Sequence, residues 1–220
     1  MRRVLSRLVG ALAVLALASG CVIPGFGPDE TTPSTSTGFP CPAWTSPSPA
    51  SSAASGRVTV GRVSFPAAPA PFEAANAGEY IPFASQVRSQ RAGVEESTAT
   101  SMGWQSVVAL GKLSSVDGAL GGPTAAEVVS QCSLSRTWRG IDYNPQVSRD
   151  EAYRVDGHEG WIRIVDLSFE VPGVRTKSEV QTVVVLTLDD ESYAYLSYLP
   201  GSAPDLKPLV EATLNGLRVD

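Results

Sequence analysis

Three runs in the last third of the chain fix most of what it can fold into. Trp161 to Val171 alternates, with Trp161, Val165, Leu167, Phe169 and Val171 on one side and Asp166, Ser168 and Glu170 on the other. That is the period of a strand with one face in a core. Pro172-Gly173 ends it. Val180 to Leu188, with its centre Val183-Val184-Val185-Leu186, reads as a central strand covered on both faces. Asp189-Asp190-Glu191 supplies a turn, and Tyr193 to Leu199 is the next strand of the same meander. A short strand, Ala152 to Val155, leads in through the turn residues Asp156-Gly157.

Helices flank this sheet. Gly121-Gly122-Pro123 breaks the chain, and Thr124-Ala125-Ala126-Glu127 has the spacing of a capping box, which predicts a helix to about Ser135. Its apolar face is Ala125, Val128, Val129 and Cys132. Ser202 caps a last helix with Asp205 in its first turn, and Asn215-Gly216 ends it. Leu206, Leu209, Val210, Thr213, Leu214 and Leu217 form one stripe. Further upstream, Val58 to Phe65 reads as a strand stopped by Pro66, Tyr80 to Val87 as a weak extended segment, and Trp104 to Leu113 as a partly buried strand. Successive strands with two helices predict an α+β fold, a mainly antiparallel sheet packed with helices. Some 160 residues, 57–220, suffice for one such domain.

The front of the chain is built differently. Residues 22–56 are rich in Pro, Ser, Thr, Ala and Gly and have few side chains to bury, which reads as a tether. As a coil it reaches roughly 30–35 Å. Phe39-Pro40-Cys41-Pro42-Ala43-Trp44 is an island in it that suits docking on the domain. Before it, Arg2, Arg3 and Arg7 precede the apolar run from Leu8 to Leu17, then Ala18-Ser19-Gly20 and Cys21. This is the layout of a secretory signal, too short to span a membrane as a stable helix.

Residues 1–20 hold three Arg and no acid, so their removal moves the formal charge from −5 to −8. An acidic domain argues against nucleic acid or anionic headgroups as the main ligand. Export implies an oxidising setting. With Cys21 at the front, Cys41 and Cys132 are left to pair across a loop of about 90 residues. The alternative leaves both thiols free, with Cys132 a small buried apolar residue.

The segment from Met1 to Cys21 resembles the bacterial lipoprotein signal family. In that family the cysteine thiol takes a diacylglyceryl group and becomes the new N-terminus. The resemblance therefore implies lipidation at Cys21 and an anchor on the extracytoplasmic face of the cell membrane. Ala18 stands where that family most often has Leu. The abundance of Arg over Lys, with many Ala, Gly, Pro and Val, matches actinobacterial proteins. The domain, through Gly103-Trp104 to Leu113, Val155-Asp156-Gly157-His158 and the tail from Leu199-Pro200 to Leu217, resembles the PsbP-like α/β/α sandwich of LpqN-type envelope lipoproteins. That resemblance implies a non-enzymatic envelope protein that binds a protein or lipid partner, and it supplies no site residue.

The residues themselves offer little chemistry. His158, the one histidine, lies between Asp156 and Glu159 and reads as a turn residue. Zinc wants three or four ligands, typically several His and Cys, and no Gly-x-Ser-x-Gly elbow is present. Asp189-Asp190-Glu191 lacks the spacing of a calcium loop. Gly118-Ala119-Leu120-Gly121-Gly122 precedes a helix but has no lysine for a phosphate. Tyr193, Tyr195 and Tyr198 read as core packing with hydroxyls at the rim, with a glycan or lipid groove as the alternative. The expectation is a non-catalytic, membrane-tethered binding domain without cofactor, metal or nucleic acid. An envelope hydrolase and a carrier of apolar cargo are the alternatives.

Overall fold

Gly61 decides how the domain begins. Its φ is +55°, and a Cβ there would collide with the Tyr193 ring. The chain therefore turns at Gly61-Arg62. Val58 to Phe65, expected as one strand, folds as a hairpin of β2 (Arg57–Val60) and β3 (Val63–Pro66), with Val60 opposite Val63. The computed structural model describes residues 41, 48–49, 56–78, 80–96, 103–114 and 121–220, all within the unit Gly38–Asp220. The signal, Cys21, most of the tether and Gly118-Ala119-Leu120 lie outside the described residues.

The main sheet contains β1 (Ser48–Pro49), β4 (Asn76–Ala77), β5 (Ala84–Glu96), β6 (Gly103–Leu113), β7 (Tyr143–Val155), β8 (His158–Phe169), β9 (Ser178–Leu188) and β10 (Glu191–Pro200). Its order is β1-β5-β6-β10-β9-β8-β7, with β4 paired to β5. Every neighbour is antiparallel except β1 with β5. A second sheet joins the hairpin to β11 (Arg218–Val219). The α+β class is thus as the sequence predicts.

The main sheet is covered on both faces. On one face α1 (Gly122–Thr137) packs Ala125, Ala126 and Val129 with Val183 and Val185. On the other face the hairpin and α2 (Lys207–Asn215) bury Phe65, Val210 and Leu217 with Val184, Leu186 and Tyr195. The alternation along β9 sends Val183 and Val185 one way and Val184 and Leu186 the other. All four are buried, as a doubly covered strand requires.

Several local expectations are corrected. The capping box does not form. Gly121 is the N-cap of α1, with Pro123 in the first turn and no side-chain cap. Proline's fixed φ and missing N–H suit a helix start, so the helix begins before Thr124. Glu127 instead accepts a bond from Gln131 at 2.9 Å. Ser202 bonds Thr176 Oγ1, and α2 is entered through a 3₁₀ turn, Pro204–Leu206. Strand β5 runs well past Val87. The Gln90 side chain, buried, holds Ala68 N, Ala68 O and Glu73 O, so a polar residue fixes the preceding loop from inside the sheet. Strand β7 starts at Tyr143, not Ala152. It is an edge strand, largely exposed on both faces, with Pro145 and a bulge between Val147 and Arg149.

Two points of the Pro-rich stretch are attached to the domain. Ser48–Pro49 pairs with Gln86 and Val87, and Cys41 forms a disulfide with Cys132, their Cα atoms 5.4 Å apart. Cys132 is fully buried on α1 beside Phe83 and Val128. The bond spans 91 residues of sequence, so its loss enlarges the unfolded ensemble considerably. Replacing both cysteines by Ala is expected to lower unfolding free energy by about 4 kcal/mol in urea titrations. An unchanged midpoint would show that the crosslink adds no stability.

Candidate functional site

Strand β9 carries two inward polar residues on its α1 face, Glu179 and Gln181, in phase with Val183 and Val185. Both are buried. Gln181 is saturated: its Nε2 donates to Ser133 Oγ at 2.8 Å and Tyr198 Oη at 3.0 Å, and Ser130 Oγ donates to its Oε1 at 2.5 Å. Glu179, one step nearer the strand start, has no such set. Burial pushes its carboxyl up to about 8, opposed by a hydrogen bond from the Trp104 side chain. At neutral pH it is mostly protonated.

Glu179 lies on a cavity of about 230 Å³. Trp104, Gln105 and Val107 come from the start of β6, Thr137 and Trp138 from the C-terminal end of α1, Tyr198 from β10, with Tyr80 and Ile141 completing the wall. Three rings cluster behind this wall. Trp104 lies 5.3 Å from Phe169 and nearly parallel to it, and Trp138 is 4.4 Å from Phe169 and 5.8 Å from Trp104. Such contacts hold large side chains in place beyond their area of burial. Gln105 Nε2 donates to Tyr80 Oη at 2.7 Å. The Trp138 indole N–H is buried and has no partner. A buried donor without an acceptor costs about 1–3 kcal/mol. Glu179, by contrast, has the Trp104 bond but no basic neighbour among the described lining. Among the described residues lining the cavity there is no basic side chain.

A more open cavity of about 350 Å³ shares Gly103, Trp104 and Gln105 and adds Glu95 and Glu96 from β5. The Glu95 carboxylate accepts bonds from Arg175 N at 2.7 Å, Thr176 N at 3.1 Å and Thr176 Oγ1 at 2.9 Å. The backbone bond from Arg175 above all holds Glu95 below the usual carboxylate range.

The residues singled out by sequence lie elsewhere. His158 is exposed at the β7–β8 hairpin and makes no side-chain hydrogen bond to a described residue. Asp156 accepts from Val219 N at 3.0 Å, and Glu159 pairs with Arg154 at 3.2 Å. Asp189 pairs with Arg62 at 2.9 Å, and Glu191 bonds Lys112 and Tyr193. Among the described residues no group of three His, Cys, Asp or Glu could hold a metal, and no helix is long and apolar enough to cross a membrane. Tyr193, Tyr195 and Tyr198 are buried core residues, as the core-packing reading expects. Tyr195 Oη bonds Thr213, and burial pushes Tyr195 and Tyr198 up to about 12. Only Tyr198 reaches the cavity. Sequence reasoning missed Glu179, Trp104 and Trp138 as a site. The available signal was an acid in phase with Val183 and Val185.

No family model matches the chain, and no curated protein matches it. Solved structures similar to the chain include these two. One is the solution structure of the cyanobacterial PsbP protein CyanoP from Synechocystis sp. PCC 6803, at 12% identity and TM-score 0.46, covering 72% of this chain and 87% of that one. The other is a protein of unknown function from Pseudomonas aeruginosa, at 10% identity and TM-score 0.35, covering 72% and 92%. At that similarity neither assigns an activity or a ligand to this chain.

The buried acid leaves a mark on stability. Above about pH 4.5 the unfolded Glu179 ionises while the folded one keeps its proton until about 8. The folded state then binds more protons, so stability falls as pH rises through that window. Between pH 5 and 8 the wild type is expected to lose on the order of 3–4 kcal/mol relative to Glu179→Gln. Urea unfolding of both proteins at the two pH values measures this, and a constant gap would contradict a neutral buried carboxyl.

Proposed function

We propose that this chain is a binding domain held at the extracytoplasmic face of the cell membrane by a lipid on Cys21, and that the cavity beside Glu179 is its ligand site. The observation that carries the reading is a buried carboxyl on a ring-lined cavity whose described lining holds no basic side chain. A core position optimised only for stability would satisfy or remove such a group. The anchor rests on the signal layout ending at Cys21 and on the tether behind it.

Binding is favoured over catalysis because the described wall offers no histidine, lysine, cysteine or serine, and no described contact activates Thr137 or the tyrosines as nucleophiles. His158, the residue a hydrolase reading relies on, is exposed on a hairpin. The cavity is smaller than pockets that enclose drug-sized ligands, roughly 300–1,000 Å³, so it suits a small molecule or a head group more than a whole apolar cargo.

Two measurements test this. Cys21→Ala is expected to move the protein from the membrane to the soluble fraction, and retention in the membrane would contradict the anchor. A panel of small amines, carboxylates, alcohols and sugars is expected to contain a class that raises the Tm of the full chain saturably and changes its tryptophan fluorescence. A flat response across all classes would contradict the site.

A further inference from the structure

We propose that the cavity beside Glu179 recognises the ammonium head of a small organic cation, through its ring-lined wall and the Glu179 carboxyl. The inference rests on the binding reading and names the ligand class of that site.

The wall itself makes the selection. Tyr80, Trp104, Trp138 and Tyr198 surround a space whose one carboxyl is Glu179 and whose described lining has no basic residue. An anion would enter against a carboxyl with no countercharge. A cation finds ring quadrupoles, which attract ammonium groups most strongly where water is excluded. It also supplies the charge partner that Glu179 lacks. The C-terminal end of α1, at Thr137 and Trp138, borders the same space, and the carbonyl end of a helix favours positive charge. The adjoining cavity adds Glu95 and Glu96, so the neighbouring surface is acidic.

In the empty site at neutral pH Glu179 is a carboxylic acid. When the cation enters, the carboxyl O–H releases its proton to solvent, and the carboxylate remains paired with the ammonium. Around Glu179 the other titratable side chains are Tyr198 on β10 and Tyr80. From α1 come Thr137 and Trp138, from β6 Trp104 and Gln105, and across the sheet Leu167 on β8 and Pro200 on β10, none of which titrates. Nearby charges belong to the second cavity, Glu95 and Glu96, with Arg175 on Glu95.

The test uses the full chain and the wild-type site. Choline and tetramethylammonium chloride are titrated by calorimetry at pH 6.5 in two buffers of different ionisation enthalpy, beside the neutral isostere 3,3-dimethylbutan-1-ol. The expected result is saturable binding of both cations, release of close to one proton, and affinity rising about tenfold per pH unit towards 8. The neutral alcohol is expected at least tenfold weaker, and Glu179→Gln is expected to lose tenfold in cation affinity together with the proton release. Displacement of choline by phosphatidylcholine vesicles, but not by phosphatidylglycerol vesicles, would assign the cation to a lipid head group. No displacement would assign it to a free amine. Equal affinity for the neutral alcohol would overturn the cation while leaving a ligand site in place. Binding by none of these probes, nor by any class of the wider panel, would overturn both.

Discussion

The double cover of β9 and β10 is the constraint from which the rest follows. With α1 on one face and the hairpin and α2 on the other, polar side chains buried in the middle of these strands are cut off from water. Each must find a partner in the protein or remain unsatisfied. Gln181 and Glu179 are two residues apart on one face and meet opposite outcomes. Gln181 reaches Ser130, Ser133 and Tyr198 and ties α1 to the sheet. Glu179 lies where α1 ends, with Trp104 as its hydrogen-bond partner and an open cavity beside it. The helix length sets the boundary between saturated core and unsaturated site.

Much of the fold was legible because the core strands advertise themselves. Trp161, Val165, Leu167 and Phe169 alternate over a sheet face, and Val183 to Leu186 is continuous because both faces are covered. What escaped was structure whose apolar pattern is weak. Strand β7 is exposed on both sides, so it has no alternation to read. The second half of β5 places Ser89 and Gln90 inward, and Gln90 gains its bonds from the loop ahead of it, a long-range fact that local pattern does not carry. Thr124 and Glu127 have capping spacing, yet Pro123 starts the helix first.

The candidate site was scarcely legible. Its residues, Tyr80, Trp104, Trp138, Glu179 and Tyr198, are scattered over more than half the folded domain, and each alone reads as core or surface. The one local hint was Glu179 in register with buried valines. Conversely, His158 and the run Asp189-Asp190-Glu191 drew notice by type, and the fold engages the acids in ion pairs or hairpin bonds. The proposed anchor rests on the front of the chain, and the proposed recognition rests on the cavity.

The account turns on the protonation of one carboxyl. Carbon-13 NMR of the full chain labelled at glutamate Cδ, with the Glu179 signal assigned by its loss in Glu179→Gln, follows that group directly through pH. The account predicts a neutral carboxyl signal at pH 6 that converts to carboxylate near pH 8. A Glu179 signal already ionised at pH 6, titrating near 4.5 like an exposed glutamate, would contradict it.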